Sequence, residues 1–209
     1  ISIDEAFLDM SDVATDYKAA TEHAIALKNR VREQLGLTVS IGVASCSAPA
    51  KGASDYEKPD GLVVVPPGGE AAFLAPLDVD KLPGVGPKTA AILRELGVET
   101  IGSLAALPAA VLQQKFGRYG DVLQHRAQGL DSSTVEPRGE PRSMSREVTF
   151  DVDTRDLHRL TTTLRSMCEE VSRDLRAHGK RAGTITLKLR YEDFHTVTRQ
   201  SSPGIETNS

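Results

Sequence analysis

The chain has 209 residues, of which 39% are hydrophobic, and a formal net charge of −4 at pH 7. That length and composition allow a buried core and one or two globular domains, which excludes a disordered chain. No run approaches the roughly 18 consecutive apolar residues of a membrane span, and no signal-peptide pattern opens the chain, so a cytoplasmic location is expected. The negative charge also excludes binding to nucleic acid by bulk charge alone.

The opening segment, residues 1–9, alternates apolar and polar side chains as a strand does, but two adjacent carboxylates, Asp4 and Glu5, interrupt it. Carboxylate oxygens are hard ligands that select Mg²⁺, and nucleotidyl transfer uses two such ions about 3.5–4 Å apart. An adjacent Asp-Glu pair is also common as a solvated or helix-capping pair. The pair alone therefore leaves both interpretations open.

Helix and strand patterns follow this segment. Apolar residues recur at helical spacing between residues 20 and 35, and Gly36 is placed to form the C-cap. Residues 37–44 and 62–65 have the apolar character of buried strands. The order strand, helix, strand, strand predicts an α+β layer for residues 1–77.

Residues 78–137 show only helical periodicity, interrupted by glycines, which predicts a small all-α domain. Within it, residues 82–93 place Gly84 and Gly86 just before an apolar helix. Such glycines leave backbone N–H groups uncovered at the helix N-terminus, where the free donors and the helix dipole bind phosphate without reading sequence. This helix-hairpin-helix pattern favours DNA binding, although a tight packing turn between helices has a similar sequence.

A polar, proline-containing stretch at about residues 131–142 reads as a linker into a third domain, residues 138–209. There, residues 145–152 have the pattern of a strand, residues 157–175 of an amphipathic helix and residues 184–191 of a strictly alternating strand. These patterns predict a β-α-β unit. One face of its last strand is cationic, which suits a phosphate backbone and equally suits a solvated sheet face.

Residues 2–9, Ser-Ile-Asp-Glu-Ala-Phe-Leu-Asp, resemble the palm signature of Y-family translesion DNA polymerases of the polymerase IV (DinB-like) type. Residues 40–45 and 51–61 are similar, in order, to the family's next palm strand and to the helix and turn after it. The resemblance implies that Asp4 and Glu5 are catalytic and bind two Mg²⁺ ions in the complete enzyme. It also implies that the lysine of the turn, Lys58, contacts the incoming triphosphate.

The remainder of the chain resembles the same family. Residues 82–93 are similar to its thumb, and residues 142–150 and 187–199 to its little finger. The resemblance and the basic or backbone-donor character of these segments together suggest a set of DNA-binding residues. This set comprises Gly84, Val85, Gly86, Lys88, Ser145, Arg146, Lys188, Arg190 and Arg199.

The resemblance implies an α+β multidomain DNA-directed DNA polymerase with a partial ferredoxin-like palm (1–77), an all-α helix-hairpin-helix thumb (78–137) and a partial β-α-β little finger (138–209), truncated at its C-terminus. Its implied partners are primer-template DNA, deoxynucleoside triphosphates and a sliding clamp, the last bound through a C-terminal peptide absent here. A monomer with no membrane contact is expected. Because the family's first metal-binding aspartate and its fingers lie upstream of the matched region, the chain is expected to be an internal fragment, inactive alone.

One stretch departs from the family pattern. Where the family has Ser-Asn-Lys, two apolar residues and Ala-Lys, residues 45–51 read Ser-Cys-Ser-Ala-Pro-Ala-Lys. A basic contact is lost there, and a proline enters the start of the predicted helix.

Two other functions fit parts of the sequence. The first is a DNA-binding module without chemistry, in which the hairpin and the arginines bind the DNA backbone and the acidic pair is structural. The second is a nucleotidyl cyclase-like palm, which also pairs carboxylates but has no reason to carry a helix-hairpin-helix.

Overall fold

The computed structural model describes residues 2, 4–137 and 139–208, in two compact units that comprise residues 1–137 and 138–209. The helices are α1 (Tyr17–Leu35), α2 (Ser47–Tyr56), α3 (Glu70–Leu74), α4 (Pro87–Glu95), α5 (Ile101–Ala106), α6 (Ala109–Phe116), α7 (Arg118–Ala127) and α8 (Leu157–Ala177), with a 3-10 helix at Val79–Lys81. The strands are β1 (Ile41–Val43), β2 (Leu62–Val64), β3 (Ile185–Arg190) and β4 (Thr196–Ser201). Among these described helices, none is both long and apolar enough to cross a membrane.

The first unit opens with a helix packed beside a small parallel sheet. The side chain of Asp16 caps α1 by accepting from Ala19 N at 2.7 Å, and Gly36 ends the helix at a φ of 67°. This left-handed conformation suits glycine and confirms the predicted C-cap. Strands β1 and β2 pair in parallel, from Ile41 opposite Leu62 onward, so both predicted strands exist but are shorter than the sequence suggested.

Gly42 in β1 lets α2 approach the sheet closely. A Cβ atom at this position would lie 2.1 Å from the carbonyl oxygen of Ala50 and 2.5 Å from the backbone nitrogen of Ser54. The backbone of α2 therefore lies directly against β1. Pro49 sits in the first turn of α2, where a backbone N–H has no acceptor within the helix, so the unusual proline is compatible with the helix.

The described residues of the predicted opening strand form no strand. Residues 4–10 form no strand, and Ile1 and Ile3, which carried half of the alternation, lie outside the described residues. A strand exists only when its backbone groups pair with a neighbouring strand, and β1 and β2 pair only with each other within the described part of the chain. The alternation of apolar and polar residues was therefore not sufficient to predict a strand. The same sheet has too few strands to establish a ferredoxin-like palm.

The all-α region predicted after residue 77 is confirmed. Helices α4 to α7 and the short 3-10 helix enclose a core of fully buried aliphatic side chains, which includes Leu82, Leu93, Ile101, Leu112 and Leu123. This core supplies most of the burial in the first unit, so the hairpin before α4 rests on a rigid support.

The second unit corrects the predicted β-α-β order. Helix α8 is followed by an antiparallel hairpin of β3 and β4, and residues 145–152 form no strand. That segment contacts α8 through side chains, since Arg146 pairs with carboxylates of the helix and Phe150 lies 4.8 Å beneath the Arg159 guanidinium. Among the described residues no strand pairs with this segment, since β3 and β4 pair only with each other.

The alternation predicted for residues 184–191 is present in β3, but the apolar face of this strand is largely exposed. Ile185, Leu187 and Leu189 are 49%, 44% and 42% exposed. Indeed, no described residue between 139 and 208 is fully buried. In this unit, one helix and two strands provide too little surface to enclose an apolar core.

Candidate nucleotide and DNA site

Carboxylates and lysines from separate parts of the first unit form a continuous chain of ion pairs. The ammonium group of Lys51 lies 3.0 Å from Glu5 Oε1 and 2.5 Å from Asp55 Oδ2. The other oxygen of Asp55 lies 2.5 Å from the ammonium group of Lys58. The fold thus brings Glu5 close to the turn lysine, although more than fifty positions separate them in sequence.

Helix α2 creates this arrangement. Lys51 and Asp55 are four residues apart and so lie on the same face of the helix. Lys58 follows the C-terminal end of α2 and reaches back to the same carboxylate. Sequence reasoning did not identify Lys51 or Asp55 as site residues, although their spacing of four on a helix was a usable signal.

The local charges keep the acidic groups ionised. The Ser2 hydroxyl, which donates to Asp4 Oδ1, holds the pKa of Asp4 below its usual value, and Lys58 and Lys51 contribute through their charge. A hydrogen bond from Lys51 likewise lowers the pKa of Glu5. Burial opposes ionisation of Asp55, but hydrogen bonds from the two lysines outweigh it, and its pKa is also lowered.

Asp4 and Glu5 have the chemistry of Mg²⁺ ligands, because they are adjacent, partly exposed and ionised at neutral pH. Residues 2, 4–137 and 139–208 contain no cluster of three or more His, Cys, Asp or Glu side chains arranged to hold a metal ion. The pair therefore fits a divalent cation only if further oxygen ligands complete the coordination shell.

The hairpin before α4 presents backbone donors to solvent. Gly86 is the N-cap residue of α4 and provides no side-chain hydrogen bond to the helix, and Pro87 is the first helical residue. A Cβ atom at Gly86 would meet nothing within 4 Å. The exposed surface here is a shallow depression lined by Gly86, Pro87, Lys88 and Thr89. This geometry suits a phosphate at a helix N-terminus, with Lys88 supplying positive charge.

The other two hairpin residues have structural roles. Gly84 adopts a φ of 98°, and its carbonyl oxygen accepts a hydrogen bond of 2.8 Å from the Tyr119 hydroxyl. Val85 lies in the core and donates its N–H to Leu82 O at 2.9 Å. Neither the side chain nor the N–H of Val85 is free to contact DNA, so its predicted role is not supported by this geometry.

Arg146, predicted to contact DNA, makes ion pairs inside the second unit. Its Nε lies 2.9 Å from Glu170 Oε2, and its Nη2 contacts Asp174. These hydrogen bonds raise the pKa of Arg146 further. Ser145 precedes it as an exposed residue whose carbonyl accepts from the same guanidinium. A phosphate would have to compete with two carboxylates for this arginine.

The hairpin of the second unit separates the predicted basic residues. Lys188 lies opposite Thr198 and Arg190 lies opposite Thr196, so the side chains of Lys188 and Arg190 share one face of the hairpin. Arg199 lies opposite Leu187 and therefore belongs to the other, apolar face. Residues directly opposite each other in an antiparallel pair point to the same side, so these three basic residues do not form a single cationic surface.

Comparisons with protein families agree along the chain. Residues 1–55 match the impB/mucB/samB family, residues 80–131 match a thumb domain described for DNA polymerase-iota, and residues 141–209 match the impB/mucB/samB family C-terminal domain.

Curated relatives are named DNA polymerase IV. The protein from Methanoculleus marisnigri is 46% identical over 199 residues, which cover 95% of this chain and 55% of that protein. One from Dehalococcoides mccartyi strain CBDB1 is 40% identical over 204 residues, which cover 98% of this chain and 52% of that protein. The chain thus spans about half the length of the curated relatives it matches.

Solved structures give the same assignment. A Y-family DNA polymerase chimera, Dbh-Dpo4(243-245)-Dbh, aligns with a TM-score of 0.83 at 29% identity, over 98% of this chain and 59% of that one. An insertion ternary complex of Dbh DNA polymerase aligns with a TM-score of 0.61 at 26% identity, over 92% and 55%. The ordered family matches, the named relatives and these structures together show that the chain belongs to the Y-family of DNA polymerases, in the DinB-type polymerase IV branch.

Proposed function

We propose that this chain provides the metal-binding carboxylates, the triphosphate contact and the surfaces that bind duplex DNA in a template-directed translesion DNA polymerase. The observation that carries the proposal is the ion-pair chain from Glu5 through Lys51 and Asp55 to Lys58. It joins Glu5, next to Asp4, to the lysine assigned to the nucleotide, as a site for a metal-bound triphosphate requires.

Asp4 and Glu5 would hold the metal ions, with nucleotide phosphate oxygens as further ligands. Bound Mg²⁺ would lower the pKa of the attacking hydroxyl and neutralise the leaving pyrophosphate. The protein's own contribution is to keep both carboxylates ionised next to the lysines. The pKa of each carboxyl is below its usual value, so this state persists throughout the neutral pH range.

Lys51 and Lys58 would provide positive charge for the triphosphate. Both ammonium groups now pair with Asp55, and Lys58 is about half exposed. The ion pair of Lys58 is on the surface, where such pairs contribute little to stability, whereas Lys51 is more buried. For Lys58, exchanging the Asp55 carboxylate for a phosphate therefore costs little, which suits a contact that forms and breaks in every catalytic cycle.

The hairpin at Gly86 and the basic face of β3 would hold primer-template DNA by its backbone. Support comes from the exposed helix N-terminus, from Lys188 and Arg190 on one sheet face, and from relatives whose structures are titled as complexes of a DNA polymerase. Sliding-clamp binding, a monomeric state and a cytoplasmic location belong to this proposal through the family resemblance alone.

Primer extension by a chimera tests the proposal. In the chimera, this chain replaces the matched region of the Methanoculleus marisnigri relative, with the unaltered relative as positive control. We expect templated, Mg²⁺-dependent extension. A folded chimera that binds duplex but never extends a primer would instead favour a DNA-binding module without chemistry.

The hairpin allows charge and backbone donors to be tested separately on the 209-residue chain. Lys88→Ala removes one phosphate contact and should flatten the log–log salt dependence of duplex binding by about one unit. Gly86→Val removes no charge but blocks the approach to the N–H groups, so binding should weaken roughly tenfold at an unchanged slope. Titrations of labelled primer-template at several salt concentrations measure both quantities.

Lys18→Ala is the control for the loss of one lysine, because Lys18 is exposed and its one ion pair within the described part of the chain, with Glu22, spans 4.0 Å. Gly86 is preferred over Gly84 for the steric test, since a Cβ atom at Gly84 would lie 2.4 Å from the Tyr119 hydroxyl and disturb the fold. If Gly86→Val binds as well as the parent chain, the hairpin is only a packing turn.

A further inference from the structure

Lys28 on α1 is a mostly buried lysine whose ammonium group lies among four oxygen atoms. It donates to Val39 O at 2.6 Å, to Asp60 Oδ1 at 2.6 Å, to Asp60 O at 2.8 Å and to Gly61 O at 3.2 Å. Its side chain is only 14% exposed. Two of these acceptors are backbone carbonyls of the turn before β2, and a third, from Val39, lies just before β1, so Lys28 binds the backbone of both segments and not merely a surface carboxylate.

The turn is held at other points as well. Arg32, one helical turn after Lys28, contacts the second oxygen of Asp60. Gly61 donates its N–H to Ser40 Oγ at 3.1 Å, and its carbonyl accepts from Ile41 N at 3.0 Å. These contacts fasten the end of the turn to α1 and to the start of β1.

The turn conformation depends on Lys28 for a physical reason. Asp60 has a φ of 58°, a left-handed conformation that residues other than glycine rarely adopt. Three carbonyls and a carboxylate oxygen that converge on one point repel each other unless a cation lies between them. The compact ammonium group has three N–H donors, so two of the four oxygens share one hydrogen, whereas a planar guanidinium directs its donors in a fixed fork that matches such a cluster less well.

The same turn carries Lys58 two residues before Asp60. Lys58 follows α2 directly, and its own side chain is about half exposed. Its ion pair with Asp55 is therefore a weak restraint. The direction in which Lys58 projects depends on the backbone of residues 58–61, and Lys28 and Arg32 hold the last two residues of that segment, Asp60 and Gly61.

We propose that Lys28 is a positioning residue for nucleotide binding, which acts by fixing the turn that presents Lys58 to the triphosphate. This inference rests on the proposed function, because it assumes that Lys58 contacts the nucleotide. Lys28 does not touch the nucleotide itself, and its effect is transmitted through the backbone between Asp60 and Lys58.

The test is a calorimetric titration of the chimera with dATP in the presence of Mg²⁺. Lys28→Ala should weaken dATP binding about tenfold, the size of one lost charge-assisted hydrogen bond. Lys18→Ala, on the same helix, should leave it unchanged. Asp60→Asn is the second variant, because asparagine tolerates the left-handed conformation and keeps the shape while removing the charge that Lys28 binds. It should weaken binding less than Lys28→Ala.

A double-mutant cycle distinguishes positioning from general destabilisation. If Lys28 acts through Lys58, then Lys28→Ala should have no further effect on dATP binding in a Lys58→Ala background. Duplex affinity should be the same in all variants, and dAMP binding should not respond to either substitution. A purely structural defect would instead reduce dATP and duplex binding together, and would add to the Lys58→Ala effect.

The outcomes separate the two proposals. If dATP does not bind the parent chimera, or the Lys58→Ala chimera binds it normally, the nucleotide site itself is wrong. If Lys58→Ala weakens binding while Lys28→Ala and Asp60→Asn do not, the nucleotide site stands and the positioning role of Lys28 is overturned. If the losses of dATP affinity caused by Lys28→Ala and Lys58→Ala are additive in the double mutant, the positioning role of Lys28 is also overturned.

Discussion

Asp4→Ala and Glu5→Ala should each reduce primer extension by the chimera at least about a hundredfold. A metal ligand supports charge stabilisation of several kcal/mol in the transition state, and each 1.36 kcal/mol changes the rate about tenfold. Neither residue belongs to the hairpin or the β3 face, so affinity for duplex should survive. The measurement is single-turnover extension of a labelled primer, alongside a duplex titration for each variant.

Asp9→Ala is the matched control. Asp9 is a carboxylate of the same opening segment, but its Oδ1 accepts from Ser11 N at 2.9 Å and it has no ion pair with Lys51 or Lys58. Its variant should extend primers nearly normally. Equal activity in the Asp4, Glu5 and Asp9 variants would mean that the acidic pair is structural and that the chemistry lies elsewhere.

The parts of the fold that could be predicted from sequence are those determined by local rules. Helix α1 was evident from apolar residues at helical spacing and from Gly36 at its end, and both hold in the structure. The hairpin before α4 was evident from its glycines, and its helix begins at the position the pattern indicated. Such features depend on neighbouring residues, which one sequence displays completely.

The elements that were mispredicted depend on distant partners. Residues 4–9 and 145–152 alternate as strands do, yet neither segment found a backbone to pair with. Conversely, β4 was not recognised, and without it the register that separates Arg199 from Lys188 could not be known. A strand pattern states which side chains share a face but not whether another strand is available.

The residues of the candidate site also divide into those that could be predicted from sequence and those that depend on distant contacts. Asp4, Glu5 and Lys58 were identified through a family motif, whereas Lys51, which joins them, is apparent only once α2 is folded against the opening segment. Lys28 carried even less signal, because a lysine beside an apolar helical stripe usually extends toward solvent. Its burial follows from the carbonyls of a turn more than thirty residues away.

Gly42→Ala should destabilise the first unit by about 3 kcal/mol or more, a large part of the 5–15 kcal/mol by which a typical domain is stable. The added methyl group would meet backbone atoms of Ala50 and Ser54 at 2.1 and 2.5 Å, and backbone cannot move aside as a flexible side chain can. Helix α2 must then shift away from β1. Urea unfolding followed by circular dichroism should show an earlier transition for this unit.

Gly52→Ala provides a control of opposite sign in the same helix. Its added Cβ would lie 3.4 Å from the Leu74 side chain, an ordinary contact, and replacing a helical glycine by alanine should stabilise by about 0.5–1 kcal/mol. Because α2 carries Lys51 and Asp55 and leads into Lys58, Gly42→Ala should also weaken dATP binding, whereas Gly52→Ala should not. If Gly42→Ala leaves both stability and dATP affinity unchanged, then the close packing of α2 on β1 does not hold the site together.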